Sequence, residues 1–195
     1  MTHNGSSSSD PAGDTIAAMA VFGRVLERVN DDHLERETPC TDWNVEALIS
    51  HVVLGDASVP LLFAGEPLPD STLIDPSLLG PNPMATWRGT ALAAIEALRA
   101  PGAMEREVEH PAGRRTGEVI ARFRLVDVLG HAWDLSTATG IEVDLPDELA
   151  EAALEFLLPL VDALAASDAF GPALEPPEAS SPAVRFLALI GRRAW

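Results

Sequence analysis

Residues Val126 to Gly140 read Val-Asp-Val-Leu-Gly-His-Ala-Trp-Asp-Leu-Ser-Thr-Ala-Thr-Gly. Asp127 and His131 are four residues apart, so on a helix they lie one above the other on the same face. Asp134 and Ala138 continue that stripe, and Leu125, Val128, Leu129 and Leu135 surround it. A helix this apolar belongs in a core, where an aspartate and a histidine need partners. Two readings are open. The commoner is an i,i+4 Asp–His hydrogen bond that steadies the helix. The other is a pair of ligands offered to one divalent ion, with a third donor from elsewhere. His51, on another predicted helix, is the candidate third donor.

Outward from this stretch the periodicity is helical. The helix that carries it is predicted over residues 118–139, with Gly140 as its stop. Upstream, Ile16, Met19, Ala20, Gly23 and Leu26 recur at three- and four-residue steps and predict a helix over 14–30. Thr41 or Asp42 is the expected cap of a second helix, 43–60, with Val45, Leu48, Ile49 and Val52 as its apolar stripe. His51 lies at the edge of that stripe, facing inward. Five prolines between 65 and 83 make a long connection. A third helix is predicted over 84–99, and the residues flanking Pro111-Ala-Gly113 fit a small hairpin. A fifth helix over 146–166, a proline-rich segment over 171–182 and a short helix over 183–190 complete the chain. Residues 1–12 read as a disordered tail and 13–195 as one domain. No repeat or parallel-sheet pattern is visible, so the fold class is all-α: an antiparallel four-helix bundle with extra C-terminal helices and one small hairpin.

Composition narrows the partners. The net charge of −17 argues against nucleic acid or an anionic membrane surface. All 13 basic residues are arginine, and tyrosine is absent too, which excludes lysine Schiff-base chemistry and a tyrosine acid or base. One cysteine, Cys40, makes no internal disulfide, and the polar opening has no signal-peptide character, so the expectation is a cytoplasmic protein.

Three segments occur in order: Thr38 to Val53 (TPCTDWNVEALISHVV), Asp127 to Gly140 (DVLGHAWDLSTATG) and Phe186 to Trp195 (FLALIGRRAW). Together they resemble the actinobacterial branch of the DinB-like superfamily, related to the N-terminal metal-binding domain of mycothiol-dependent maleylpyruvate isomerase. The resemblance implies a four-helix bundle that holds a divalent metal with three inward-facing side chains. By motif position these are His51, Asp127 and His131. The isomerase has Glu at the carboxylate position, so Asp127 implies a slightly closer helix. The implied ion is zinc, with nickel or iron as alternatives, in a two-His-one-carboxylate site with open positions.

The implied function is a metal-dependent enzyme, a thiol-dependent transferase or isomerase or a hydrolase, acting on a small molecule with a low-molecular-weight thiol as co-substrate. The isomerase carries a further C-terminal domain that helps bind the thiol. No such domain follows in 195 residues, so maleylpyruvate isomerisation itself is not expected. The alternative is a non-enzymatic metal- or ligand-binding bundle working as a dimer, and a homodimer is the oligomer implied by resemblance. An iron oxygenase ranks behind both, because its triad is usually presented by strands. Asp134 either orients a ligand histidine or pairs with an arginine. Trp133 reads as a packing residue, Cys40 as structural, and His33 and His110 as solvated.

Overall fold

Capping chemistry sets where each helix begins. The Asp10 carboxylate accepts from the Gly13 amide at 3.0 Å, and Pro11 takes the first helical position, where no amide hydrogen is needed. This starts α1, Pro11–Leu26. The computed structural model describes residues 10–69, 74–166 and 170–195. The expected tail is corrected at its end, since Pro11 and Ala12 are buried in the first turn of α1; residues 1–9 lie outside the described residues. The buried face of α1 is Thr15, Ala18, Met19, Phe22 and Leu26, while Ala20, expected inside, is exposed. The helix also stops short of Asn30. That side chain instead caps a single turn, α2 (Asp31–Leu34), and His33 returns a bond to its backbone.

Asn44 caps α3, Val45–Ala64, by accepting from the Ala47 amide at 2.9 Å. Thr41 and Asp42 are spent in the preceding loop, where Asp42 adopts a left-handed φ of 67°. The predicted stripe of Val45, Leu48, Ile49 and Val52 is fully buried. By length and composition α3 could cross a membrane, but half of that stretch is buried inside this bundle. After a 3-10 turn at Pro76–Leu79 comes α4, Pro83–Arg99. Strands β1 (Glu107–His110) and β2 (Gly113–Thr116) form the expected hairpin, with His110 opposite Gly113. Next, α5 (Gly117–Thr139) ends at Gly140, whose φ of 75° closes it. The expected fifth helix is three pieces: α6 (Asp147–Leu157), a 3-10 turn containing Pro159, and α7 (Val161–Ala165). Proline lacks the amide hydrogen that an unbroken helix needs there. Last is α8, Pro182–Leu189.

Helix α1 packs on α5 and α4, and α3 packs on α4 and α5, giving an all-α four-helix bundle. Helix α6 lies against α1 and α5, and α8 covers α6. Phe22, Leu48, Ile49, Leu125, Leu129 and Phe186 are among the largest buried side chains, so α8 belongs to the same core.

Two glycines test this packing with opposite signs. A Cβ on Gly23 would meet the Trp87 ring at 2.5 Å, whereas one on exposed Gly89, inside α4, meets nothing within 4 Å. Gly23→Ala is expected to destabilise by about 1–3 kcal/mol, and Gly89→Ala to stabilise by about 0.5–1 kcal/mol. Urea unfolding of both variants measures this; equal effects would contradict the packing of α1 against α4.

Candidate metal centre

Helix α3 delivers His51, and α5 delivers Asp127 and His131 one turn apart. Asp127 Oδ1 faces both imidazoles, 3.1 Å from His51 Nε2 and 3.4 Å from His131 Nε2. The three ligand atoms all lie within 4.8 Å of one another. Tetrahedral zinc ligands about 2.0–2.1 Å from the ion stand roughly 3.3–3.5 Å apart, close to the two separations from Asp127 Oδ1. The structure thus brings the three sequence-selected residues together.

Asp127 and His131 are each held from behind by a hydrogen bond, and His51 by ring packing. Arg124 Nη1 donates to Asp127 Oδ2 at 2.6 Å, which fixes the carboxylate and leaves Oδ1 to the histidines. Arg124 Nη2 donates to Oδ1 of the fully buried Asp56 at 2.7 Å. The Arg124 guanidinium lies so close over Gly55 that any side chain there would collide with it. On the other side, Asp134 Oδ2 sits 3.0 Å from His131 Nδ1. A carboxylate on Nδ1 sets the tautomer that frees Nε2 to bind a metal. The Trp43 indole packs on both imidazoles, with ring centroids 4.7 Å from His51 and 5.8 Å from His131.

The loop before α3 supplies Trp43 and Cys40. It is closed by the Thr38 amide and hydroxyl, which both donate to the Trp43 carbonyl, and by the Val45 amide on the Arg36 carbonyl. Cys40 Sγ donates to Asp134 Oδ2 at 3.2 Å. Arg192, beyond α8, grips both Asp134 oxygens at 3.0 Å and donates to Cys40 Sγ at 3.4 Å. Cys40, His131 and Asp134 form a second convergent set of donors, but a guanidinium already sits on two of them. Among the described residues no such cation lies between the ligand atoms of the first set.

Three carboxylates (Asp56, Asp127, Asp134) face two guanidinium groups here, leaving one negative charge for a proton on His131 or, with both imidazoles neutral, for a cation. Burial pushes the Asp127 carboxyl up, but His51, Arg124 and His131 outweigh it and hold it well below 3.8. Burial pulls His131 down, yet Asp127, Asp134 and Cys40 together raise it well above 6.5. Burial likewise opposes ionisation of Asp134, and His131 and Arg192 still bring it below 3.8.

Asp134 meets both of its expected uses at once. Arg124, Asp56, Trp43 and Arg192 were not singled out from the sequence. A carboxylate inside the apolar run of α3 and an arginine three residues before Asp127 were the available signals. The two histidines expected in solvent are partly exposed: His33 takes part in the α2 cap, and His110 packs on the Phe123 ring at 5.5 Å between centroids. Trp133 packs, partly buried, against the core.

The model of the mycothiol maleylpyruvate isomerase N-terminal domain family matches residues 16–136. The chain belongs to this family. Two uncharacterized proteins of Mycobacterium tuberculosis, from strains CDC 1551 and H37Rv, are each 37% identical to it over 141 residues. The match covers 72% of this chain and 74% of each relative. No solved structure matches the chain. Members of this DinB-like family generally bind metal, and Arg192 lies outside the matched residues.

Removing Asp56 leaves the buried Arg124 guanidinium with Asp127 as its one remaining carboxylate partner among the described residues. Asp56→Leu is expected to cost about 3–5 kcal/mol in urea unfolding, and adding Arg124→Met to recover only part of that, because Asp127 then loses its own guanidinium. A negligible single-variant loss would contradict the buried pair.

In metal-free protein, the raised His131 contributes stability that is full below 6.5 and lost as pH climbs through its folded value. The lowered Asp134 contributes stability present above 3.8 and lost as pH falls through its folded value. Melting temperature should therefore fall on both sides, and His131→Asn should flatten the alkaline decline; thermal scans across pH in the presence of chelator read this directly.

Proposed function

We propose that His51, Asp127 and His131 hold a divalent metal ion in an enzyme that acts on a small molecule. Zinc is the first choice, with nickel or iron as alternatives. The class is a thiol-dependent transferase or isomerase, or a hydrolase. The observation that carries this reading is the single Asp127 oxygen set between two Nε2 atoms, with Asp127 and His131 braced by hydrogen bonds from outside the trio. When bound, the ion supplies Lewis acidity, lowering the pKa of a water or thiol at its open position.

The chain's own residues supply the rest. Among the described residues no fourth His, Cys, Asp or Glu joins the trio. Cys40 sits on the Nδ1 side of His131, at 3.8 Å, away from the edge that faces Asp127. Three protein ligands with a vacant position is the catalytic arrangement, whereas structural zinc is closed by a fourth. Trp43 limits water around the imidazoles, and Arg124 keeps Asp127 ionised. Asp134 orients His131 and is not a free base, since His131, Cys40 and Arg192 already occupy its oxygens. The thiol co-substrate rests on the family alone, whose name includes mycothiol.

Protein purified without a histidine tag is expected to bind one zinc ion per chain, and His131→Ala to abolish that binding while keeping its helical circular dichroism. Because the metal needs neutral His131, the zinc-induced rise in melting temperature should grow with pH, accompanied by proton release. Wild-type protein that retains no more zinc than His131→Ala would overturn the proposal.

A further inference from the structure

The C-terminal turn is built to deliver one side chain. Helix α8 buries Phe186 and Leu187, with Ile190 just beyond it, and Leu174 ties the proline-rich segment to it through the Ala188 carbonyl at 2.8 Å. Gly191 then turns the chain with a φ of 79°; a Cβ there would lie 2.8–2.9 Å from the Gly171 backbone, so only glycine fits. The Arg192 amide returns to the Leu187 carbonyl at 2.7 Å, and its Nη1 donates to the Ile190 carbonyl at 2.8 Å. With its stem fixed, the guanidinium presents Nε and Nη2 as a fork to Asp134, at 3.0 Å each.

We propose that Arg192 is a positioning residue of the metal centre, acting through Asp134 on His131, so that docking of the C-terminal helix and metal binding are coupled. The inference rests on the metal reading above. Asp134 is fully buried and on the same helix as His131, three residues on. Without the fork the carboxylate is held through Oδ2 alone, by His131 and Cys40, and is free to rotate off the imidazole Nδ1. His131 then loses both its fixed tautomer and the aim of Nε2. An arginine fork fixes two oxygens at once, which a lysine point charge does not. Coupling of this kind is reciprocal: if the docked turn strengthens metal binding, bound metal holds the turn in place.

The test uses the full chain. Zinc affinity is measured against a chromophoric chelator for wild type, Arg192→Gln, Arg192→Lys, Asp134→Asn and the double variant Asp134→Asn with Arg192→Gln. Arg192→Gln is expected to weaken zinc binding about 10-fold, with Arg192→Lys falling between it and wild type. In the Asp134→Asn background, Arg192→Gln should cost nothing further, since its route to His131 is already cut. Wild-type affinity in Arg192→Gln, or an equal loss in both backgrounds, would overturn the proposal. Should Arg192→Gln fail to fold, Arg192→Lys decides alone: weaker zinc binding supports the fork, and unchanged affinity overturns it. If wild type itself takes no zinc, the metal reading fails separately. Imidazole nitrogen shifts of metal-free protein, at a pH where His131 is neutral, still test Arg192. An Nδ1–H tautomer in wild type that becomes mixed in the variant supports the positioning role, and identical spectra refute it.

Discussion

Asp127 must offer one oxygen to two imidazoles on two different helices, and a guanidinium buried beside it makes that orientation permanent. Arg124 holds the other oxygen at 2.6 Å and is itself held by Asp56 at 2.7 Å. Neither arginine nor aspartate belongs in a core alone, since an unpaired buried charge costs several kcal/mol by an order-of-magnitude estimate. Paired, they tie α3 to α5 at the level where His51 faces Asp127. Gly55 provides the room, because its missing side chain is where the guanidinium lies. The bundle and the centre therefore share one ionic tie.

The same charge logic separates the two donor clusters. Around Asp134, the Arg192 guanidinium supplies the positive charge that Cys40, His131 and Asp134 would otherwise ask of an ion. Around Asp127, Arg124 occupies only the far oxygen, and the near one is left facing two nitrogens that carry lone pairs when neutral. One cluster is a closed support and the other an open one. His131 belongs to both, with Nδ1 in the first and Nε2 in the second. That division gives an imidazole a fixed tautomer, which a ligand histidine needs.

Much of this was legible in the sequence because it rests on periodicity. The i,i+4 spacing of Asp127 and His131 on an apolar helix, and the stripe from Val45 to Val52, fix which faces turn inward. The convergence of His51 with them came from the family resemblance, since no local pattern states which two helices will touch. The supports were less visible for the same reason. Asp56 and Arg124 are 68 residues apart and Arg192 and Asp134 are 58 apart, and such pairings exist only after packing. Helix ends were misjudged where side chains had competing uses: Asn44 took the cap expected of Thr41 or Asp42, and Pro159 split a helix whose apolar pattern runs on.

In the proposed centre one Asp127 oxygen and two Nε2 atoms form the metal shell while Cys40 stays outside it. X-ray absorption at the zinc edge of the loaded protein tests this most directly. Nitrogen and oxygen scatterers are expected at about 2.0–2.1 Å, two of them imidazoles, with no sulfur. A sulfur scatterer at about 2.3 Å would instead place the ion in the Cys40–His131–Asp134 cluster.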